Sequence, residues 1–186
     1  MEKKYKYILN MGLAFDEDRA IKKFSAMAKK GWILEKMTLF RYRLVKSERK
    51  NLVYSMDYKE LEKKDDEYFL LFENSGWQHM CSYGPFHFFA ASPGSVPIYT
   101  DKENYLNKYS RCNKTYKNTA AISVSLLILV ALIKILLSNK ILGTMLENVL
   151  FFIGAISAVF AAPSVMVAIA YHRRKKRILN NKSKML

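Results

Sequence analysis

Apolar and polar residues alternate in short stretches over the first hundred positions, and those stretches are separated by two segments with helical spacing. "KYKYILN" opens as a strand. "FDEDRAIKKFSAMAKK" follows, with acids at its start, Lys29 and Lys30 at its end, and Ile21, Phe24 and Ala28 on one helical face. In "ILEKMTLFRYRLV", Phe40, Tyr42 and Leu44 fall on one side of a strand and Arg41 and Arg43 on the other. "LVYSMDYK" alternates Leu52, Tyr54, Met56 and Tyr58 against Val53, Ser55, Asp57 and Lys59. A second helix opens on Asp65, Asp66 and Glu67 and runs through "YFLLFENS". The strand pattern "QHMCSYGPFHFFAAS" closes the set, and Gly84-Pro85 inside it marks a bulge or an edge.

The pair Gly31-Trp32 returns as Gly76-Trp77, 45 positions later. Each pair stands directly after a helical segment, where glycine takes the left-handed conformation and the next apolar residue folds back on the last turn. The pairs are therefore helix-ending punctuation, and the tryptophans are burial residues before they are ligand-stacking ones. Strand–helix–strand twice over predicts an α+β domain of ferredoxin-like βαββαβ plan, a four-stranded sheet with both helices on one face. The other face is expected to be bare. It would carry Arg41, Arg43, Ser55 and Asp57, which makes these four the candidate residues for binding a ligand or partner.

The pattern changes at residue 119. Residues 119–137 and 148–171 form two apolar runs, each near or above the length that crosses a hydrocarbon core of about 30 Å at about 1.5 Å per residue. A two-helix transmembrane hairpin is expected. The chain then divides into a cytoplasmic domain (1–100), a juxtamembrane connector (101–118), the first transmembrane helix (119–137), an external loop (138–147), the second helix (148–171) and a basic cytoplasmic tail (172–186). Lys134 lies close enough to a helix end for its ammonium to reach the interface. Gly154, Ala158 and Ala162 form a stripe of small residues that suits packing against the first helix or a second copy, as in a homodimer. Pro163 predicts a kink.

Charge changes the reading of partners. The formal net charge is +15, which taken alone would suggest nucleic acid. Residues 172–186, however, carry seven Lys/Arg and no acid, and Lys108, Arg111, Lys114 and Lys117 precede the first apolar run. Basic residues beside membrane helices resist translocation and favour anionic headgroups, so both chain ends are expected on the cytoplasmic side of a cell membrane. The partners implied are the lipid bilayer and a membrane or regulatory protein, with no nucleic acid.

Candidate chemistry is sparse. His79, Cys81 and His87 share strand parity if Gly84-Pro85 leaves the register unshifted, but a structural zinc site asks for four ligands and the whole chain holds two cysteines, Cys81 and Cys112. No metal, cofactor or catalytic residue is assigned. The cysteines read as reduced thiols, and Cys112, close to the first apolar run, reads as a plain juxtamembrane cysteine before it reads as an acylation site. Asp57, Asp65, Asp66 and Asp101 make no acid–base pair by spacing, and neither a nucleophile motif nor a phosphate-cradling glycine loop is present.

The two Gly-Trp units, the stretch "GPFHFFAAS" followed by "PIYTDKENYLNKY", and the closing apolar hairpin together resemble the bacterial domain-of-unknown-function family 2812. The resemblance covers nearly the whole chain and is strongest over residues 5–110. It implies a membrane protein, encoded in many members near PadR-like regulators, and implies no catalytic residues. It also implies an amphipathic, partly helical connector over "IYTDKENYLNKYSRCNKTYK". The function expected is a membrane-anchored sensor or adaptor that binds a protein or small ligand on the open sheet face. The alternative is a membrane-bound enzyme acting on a lipid or lipid-linked substrate, which would need convergent titratable groups.

Overall fold

Tyr5–Leu9 forms strand β1, and at its end the Asn10 side chain ties it to the turn at residues 38–40, donating through Nδ2 to the Leu39 carbonyl at 3.0 Å. The computed structural model describes residues 3–61, 66–136 and 143–180. Helix α1 (Leu13–Ala28) follows, then β2 (Trp32–Met37), β3 (Arg41–Lys46), β4 (Val53–Tyr58), α2 (Asp66–Asn74), β5 (Gln78–Tyr83), β6 (Phe86–Ala91), α3 (Lys102–Leu136) and α4 (Thr144–Asn180). Two compact units result, Met1–Lys108 and Tyr109–Leu186.

Unit 1 departs from the ferredoxin-like expectation. It holds two three-stranded antiparallel sheets, β1-β3-β2 (sheet A) and β4-β6-β5 (sheet B), in place of one four-stranded sheet. The reason is local. "ILEKMTLFRYRLV" is two strands with a turn at residues 38–40, where the Thr38 amide donates to the Arg41 carbonyl at 2.9 Å and the Thr38 hydroxyl caps the same carbonyl. Gly84-Pro85 likewise turns a hairpin between β5 and β6, where a bulge or edge was expected.

The unit is thus a βαββ element written twice. Both copies have the same strand order, and both carry a register irregularity at the same repeat position, between Leu34 and Lys36 and between His79 and Cys81. Gly31 and Gly76 both have positive φ, 77° and 80°. At the end of α2 the Gly76 amide donates to the Glu73 carbonyl and the Trp77 amide to the Phe72 carbonyl, which closes the helix with a paired cap.

Helix α1 lies between the two sheets. Its fully buried Phe24 packs edge-on against Tyr42 of sheet A (4.8 Å between ring centres) and against Tyr54 and Phe88 of sheet B. Helix α2 covers the other face of sheet B, where Tyr68, Trp77, Phe89 and Ala91 form a second core with Phe69 and Phe72 packed on it. All six residues of β6 are therefore buried.

In unit 2, α3 and α4 are each long and apolar enough to cross a membrane. α3 is helical from Lys102, so the connector is partly helical as expected, with residues 98–101 ahead of the helix and the rest inside it. α4 continues through Pro163. Of the small-residue stripe, Gly154 approaches Val130 of α3, whereas Ala158 and Ala162 are exposed, and the buried positions of α4 are Leu150, Ser157, Ala161, Ser164 and Tyr171. Asp65, residue 137 at the end of the first expected transmembrane helix, residues 138–142 of the expected external loop and the chain end (181–186) lie outside the described residues.

Candidate functional site

The four residues expected on one bare face fall on two different sheets. Arg41 and Arg43 lie on the face of sheet A turned away from α1, because Tyr42 and Leu44, which alternate with them, are buried on the other face, where Tyr42 meets Phe24 of that helix. On the same face the pairing register sets Tyr7 opposite Arg43 and Leu9 opposite Arg41. The Arg41 guanidinium sits over the Tyr7 ring at 4.6 Å and that of Arg43 over Tyr5 at 4.9 Å. Glu35, the extra residue of the β2 irregularity, places a carboxylate oxygen 2.8 Å from Arg43 Nε, an ion pair not aligned as a hydrogen bond. Tyr5, Tyr7 and Leu9 are 40, 51 and 68 % exposed, and Phe40 in the adjoining turn is 72 % exposed. Aromatic rings, guanidinium groups and an apolar rim thus meet on an uncovered face.

Ser55 and Asp57 belong to β4 and to the face of sheet B that carries His87 and Phe89, the one covered by α2. Asp57 is 6 % exposed. Its carboxylate accepts hydrogen bonds from the Tyr68 hydroxyl (2.9 Å), from the Tyr99 hydroxyl and from the Tyr58 amide. It is an internal clasp between α2, β4 and the segment after β6. It presents nothing to a partner.

His79 and His87 do come together, and Cys81 does not join them. The irregularity after His79 pairs Cys81 with Phe88, which puts its thiol on the opposite face, and burial pushes that thiol up to about 12. Ser82 takes its place. Ser82 Oγ lies 2.6 Å from His87 Nδ1 and 2.8 Å from His79 Nε2, and His87 Nε2 lies 2.9 Å from the Lys59 carbonyl. A carbonyl can only accept, so in the neutral ring His87 Nε2–H donates to it and Nδ1 accepts from the Ser82 hydroxyl. Ser82 then accepts from His79 Nε2–H. Burial beside Phe69 and Phe89, then the neighbouring His87, lowers the His79 pKa from its ordinary value, partly offset by a backbone hydrogen bond at Cys81.

The Gly-Trp offset could have revealed this chain. Subtracting 45 sets Leu34, Met37 and Tyr42, all buried under α1, at the positions of His79, Ser82 and His87. Polar residues at positions that serve as core in the other copy are the signal, and strand parity alone does not show it. Lys108 was hidden for a different reason. Read as a membrane-flanking charge, it is 1 % exposed inside unit 1, with Nζ 2.6 Å from Glu17 of α1 and 2.9 Å from the Met56 carbonyl of β4.

Among the described residues no three His, Cys, Asp or Glu side chains are grouped to hold a metal. No curated protein and no solved structure matches the chain. A family model described as a protein of unknown function does match, over residues 16–121, from within α1 through β2 and β3 of the first copy and the whole of the second copy into α3. The family features therefore run from within α1 to the start of the first apolar helix, with β1 outside the match, and the chain belongs to the DUF2812 family.

Proposed function

We propose that the protein is a membrane-anchored sensor or adaptor of the cytoplasmic face. The two apolar helices would cross the membrane with both chain ends in the cytoplasm, since basic residues cluster before α3's apolar stretch and after that of α4. The open face of sheet A would capture a regulatory or membrane protein. The observation that carries the reading is the unequal covering of two equivalent faces. On sheet B the face bearing Phe86, Phe88 and Ala90 is buried against α1, whereas its repeat equivalent on sheet A, bearing Arg41, Arg43 and Val45, leaves Tyr5, Tyr7 and Leu9 exposed. Exposed rings stacked with guanidinium groups match the composition of the energetic centres of protein interfaces.

The test is capture by the full chain in detergent, comparing wild type with Arg41→Glu combined with Tyr7→Ser. Arg43 is left in place, because reversing it would set a second carboxylate against Glu35. Loss of affinity on the order of a hundredfold for the captured partner is expected, with the circular dichroism spectrum unchanged. Equal capture would remove the sheet-A face from the reading.

A second reading, a membrane-bound enzyme acting on a lipid or lipid-linked substrate, draws on the His79–Ser82–His87 chain, in which the neutral ring of buried His87 accepts a hydrogen bond from the exposed Ser82 hydroxyl. Ser82→Ala separates the two. It leaves capture intact under the adaptor reading and abolishes turnover under the other.

A further inference from the structure

Unit 2 contains its own candidate site, at the basic end of its two helices. A groove of about 790 Å³ opens between α3 and α4, with Lys114, Lys117, Lys175 and Lys176 in its walls. A second hollow of about 330 Å³ adjoins it and shares Lys117 and His172 with it, but is otherwise lined by Ala120, Val165, Ala168 and Ile169, with Arg173 at its edge. From the first to the second, the chain moves forward along α3 and backward along α4, toward the apolar segment in both. A cationic groove therefore continues into an apolar one in the direction of the membrane-length stretches.

The groove has no internal counter-charge. Glu147 is the only acidic side chain between Tyr109 and Leu186, against twelve Lys/Arg. It stands in the first turn of α4, roughly 40 Å along the helix from His172 at about 1.5 Å per residue. The walls are fixed in place before any ligand arrives. Tyr171 is buried between Tyr109 and Tyr116, the Arg174 guanidinium lies over the Tyr109 ring at 4.9 Å, and Lys175 Nζ donates to Ser110 Oγ at 2.8 Å. Asn113, 7 % exposed, belongs to the same wall, and its amide oxygen has no hydrogen-bond partner. A buried amide oxygen without a donor is costly unless something supplies one.

We propose that this groove binds one anionic glycerophospholipid. Its phosphate would be held by Lys114, Lys117, Lys175 and Lys176, a headgroup or glycerol hydroxyl would serve Asn113, and the start of an acyl chain would lie along Ala120, Val165, Ala168 and Ile169. A soluble phosphate compound would fill the cationic part and leave the apolar hollow in water. An uncharged lipid would fill the apolar part and leave four ammonium groups unneutralised. Only an anionic amphiphile matches both halves, as basic pockets between membrane helices do elsewhere. The proposal rests on the membrane reading of the hairpin.

The test is native mass spectrometry of the full chain purified in mild detergent and offered phosphatidylglycerol, phosphatidylcholine or soluble glycerol phosphate. Phosphatidylglycerol should be retained in preference to phosphatidylcholine, with glycerol phosphate not retained. Lys117→Gln with Lys175→Gln should weaken that retention roughly twenty-fivefold, as expected for two lysines each worth about fivefold. Lys114→Gln with Lys176→Gln provides a second pair should the first disturb folding, and helix content by circular dichroism controls for both. Lys182→Gln with Lys184→Gln, an equal loss of charge in the same tail, should change retention little. Equal retention of the two lipids, equal effects of groove and tail variants, or binding of glycerol phosphate as strong as that of the lipid would each overturn the proposal. Recovery of the chain from cells without detergent would overturn the membrane reading itself, an outcome separate from any of these.

Discussion

The two βαββ halves of unit 1 share strand order, a register irregularity and a helix-ending glycine, and they differ in what each sheet has against it. Sheet B has α1 on one face and α2 on the other. Among the described residues of unit 1, sheet A has a helix, α1, on one face only, and Tyr5, Tyr7 and Leu9 are exposed on the other. The same contrast reaches the tryptophans. Trp77 is buried with its indole N–H donating to the Val96 carbonyl at 2.8 Å, whereas Trp32 is half-buried with the Lys6 and Lys46 ammonium groups over its ring. The repeat keeps what is local, the positive-φ glycine after the helix and the bulge in the next strand. Position in the stack decides which copy becomes interior and which keeps a usable face.

The largest expected effect comes from breaking the junction between the halves. Lys108 joins Glu17 of the first half to the Met56 carbonyl of the second, and both side chains of the ion pair are almost wholly buried. Lys108→Met leaves a buried carboxylate without its cation, which costs about 3–5 kcal/mol. The double variant Lys108→Met with Glu17→Leu should recover most of that loss, because an apolar pair of similar volume no longer carries a desolvated charge. Trp32 and Trp77 are the only two tryptophans of the chain, so tryptophan fluorescence during denaturation of the full protein reports unit 1 alone. A single variant within about 0.5 kcal/mol of wild type, the range of a surface change, would mean that the Phe24 core alone holds the halves together.

What could be read in advance sorts along the same line between local and non-local. Gly31-Trp32 and Gly76-Trp77 marked both helix ends correctly, because a helix stop is written in adjacent residues. The apolar runs of α3 and α4 were legible because length and composition suffice. The turn at Thr38–Phe40 was not, since alternation continues in phase across it with Phe40 and Tyr42 where a single strand would put them. Together with the hairpin turn at Gly84-Pro85, that missed turn reduced six strands to four and two three-stranded sheets to one, and it assigned Ser55 and Asp57 to the same face as Arg41 and Arg43. Cys81 was misplaced by one irregularity, because a single extra residue reverses every side chain after it. Lys108 was beyond a charge count, since its partner lies 91 residues away.

A medium effect separates the two glycines, which alternation and capping rules treat as equals. A Cβ on Gly31 would stand 2.6 Å from the Ser47 carbonyl oxygen, whose own amide donates back to the Gly31 carbonyl, while a Cβ on Gly76 meets nothing within 4 Å. Gly76→Val therefore costs the positive-φ strain alone, on the order of 1–3 kcal/mol. Gly31→Val costs that plus displacement of a backbone strand end, and its fluorescence midpoint should fall further than that of Gly76→Val. Equal midpoints would show that the segment after β3 moves aside freely and that the first half is no tighter at this corner than the second.

The smallest effect is a pH dependence confined to the second half. At the three matched positions the first half has Leu34, Met37 and Tyr42, none of which ionises between pH 5 and 8, whereas the second has His79, Ser82 and His87. His79 faces Phe69 of α2, Phe89 and His87 of β6 and Ser82 of its own strand, and no carboxylate among these contacts favours its cation. Its pKa in the folded protein is lowered, by burial first and by His87 second. In the unfolded chain it returns to about 6.5. Between those two values the unfolded state holds the extra proton, so stability rises with pH there and is lost as pH falls below about 6.5, until the folded histidine also charges and the dependence levels off. His79→Gln keeps a side-chain donor for Ser82 and removes the titration. The drop in the tryptophan-fluorescence midpoint from pH 7.5 to pH 5 should therefore be smaller in His79→Gln than in wild type, by a modest amount because the imidazole is still partly in contact with water. Leu34→Gln at the matched position should leave the size of that drop unchanged while lowering stability at every pH, since it puts an amide into a core site that is 1 % exposed. An identical drop in wild type and His79→Gln would place the acid sensitivity of unit 1 outside the histidine–serine chain.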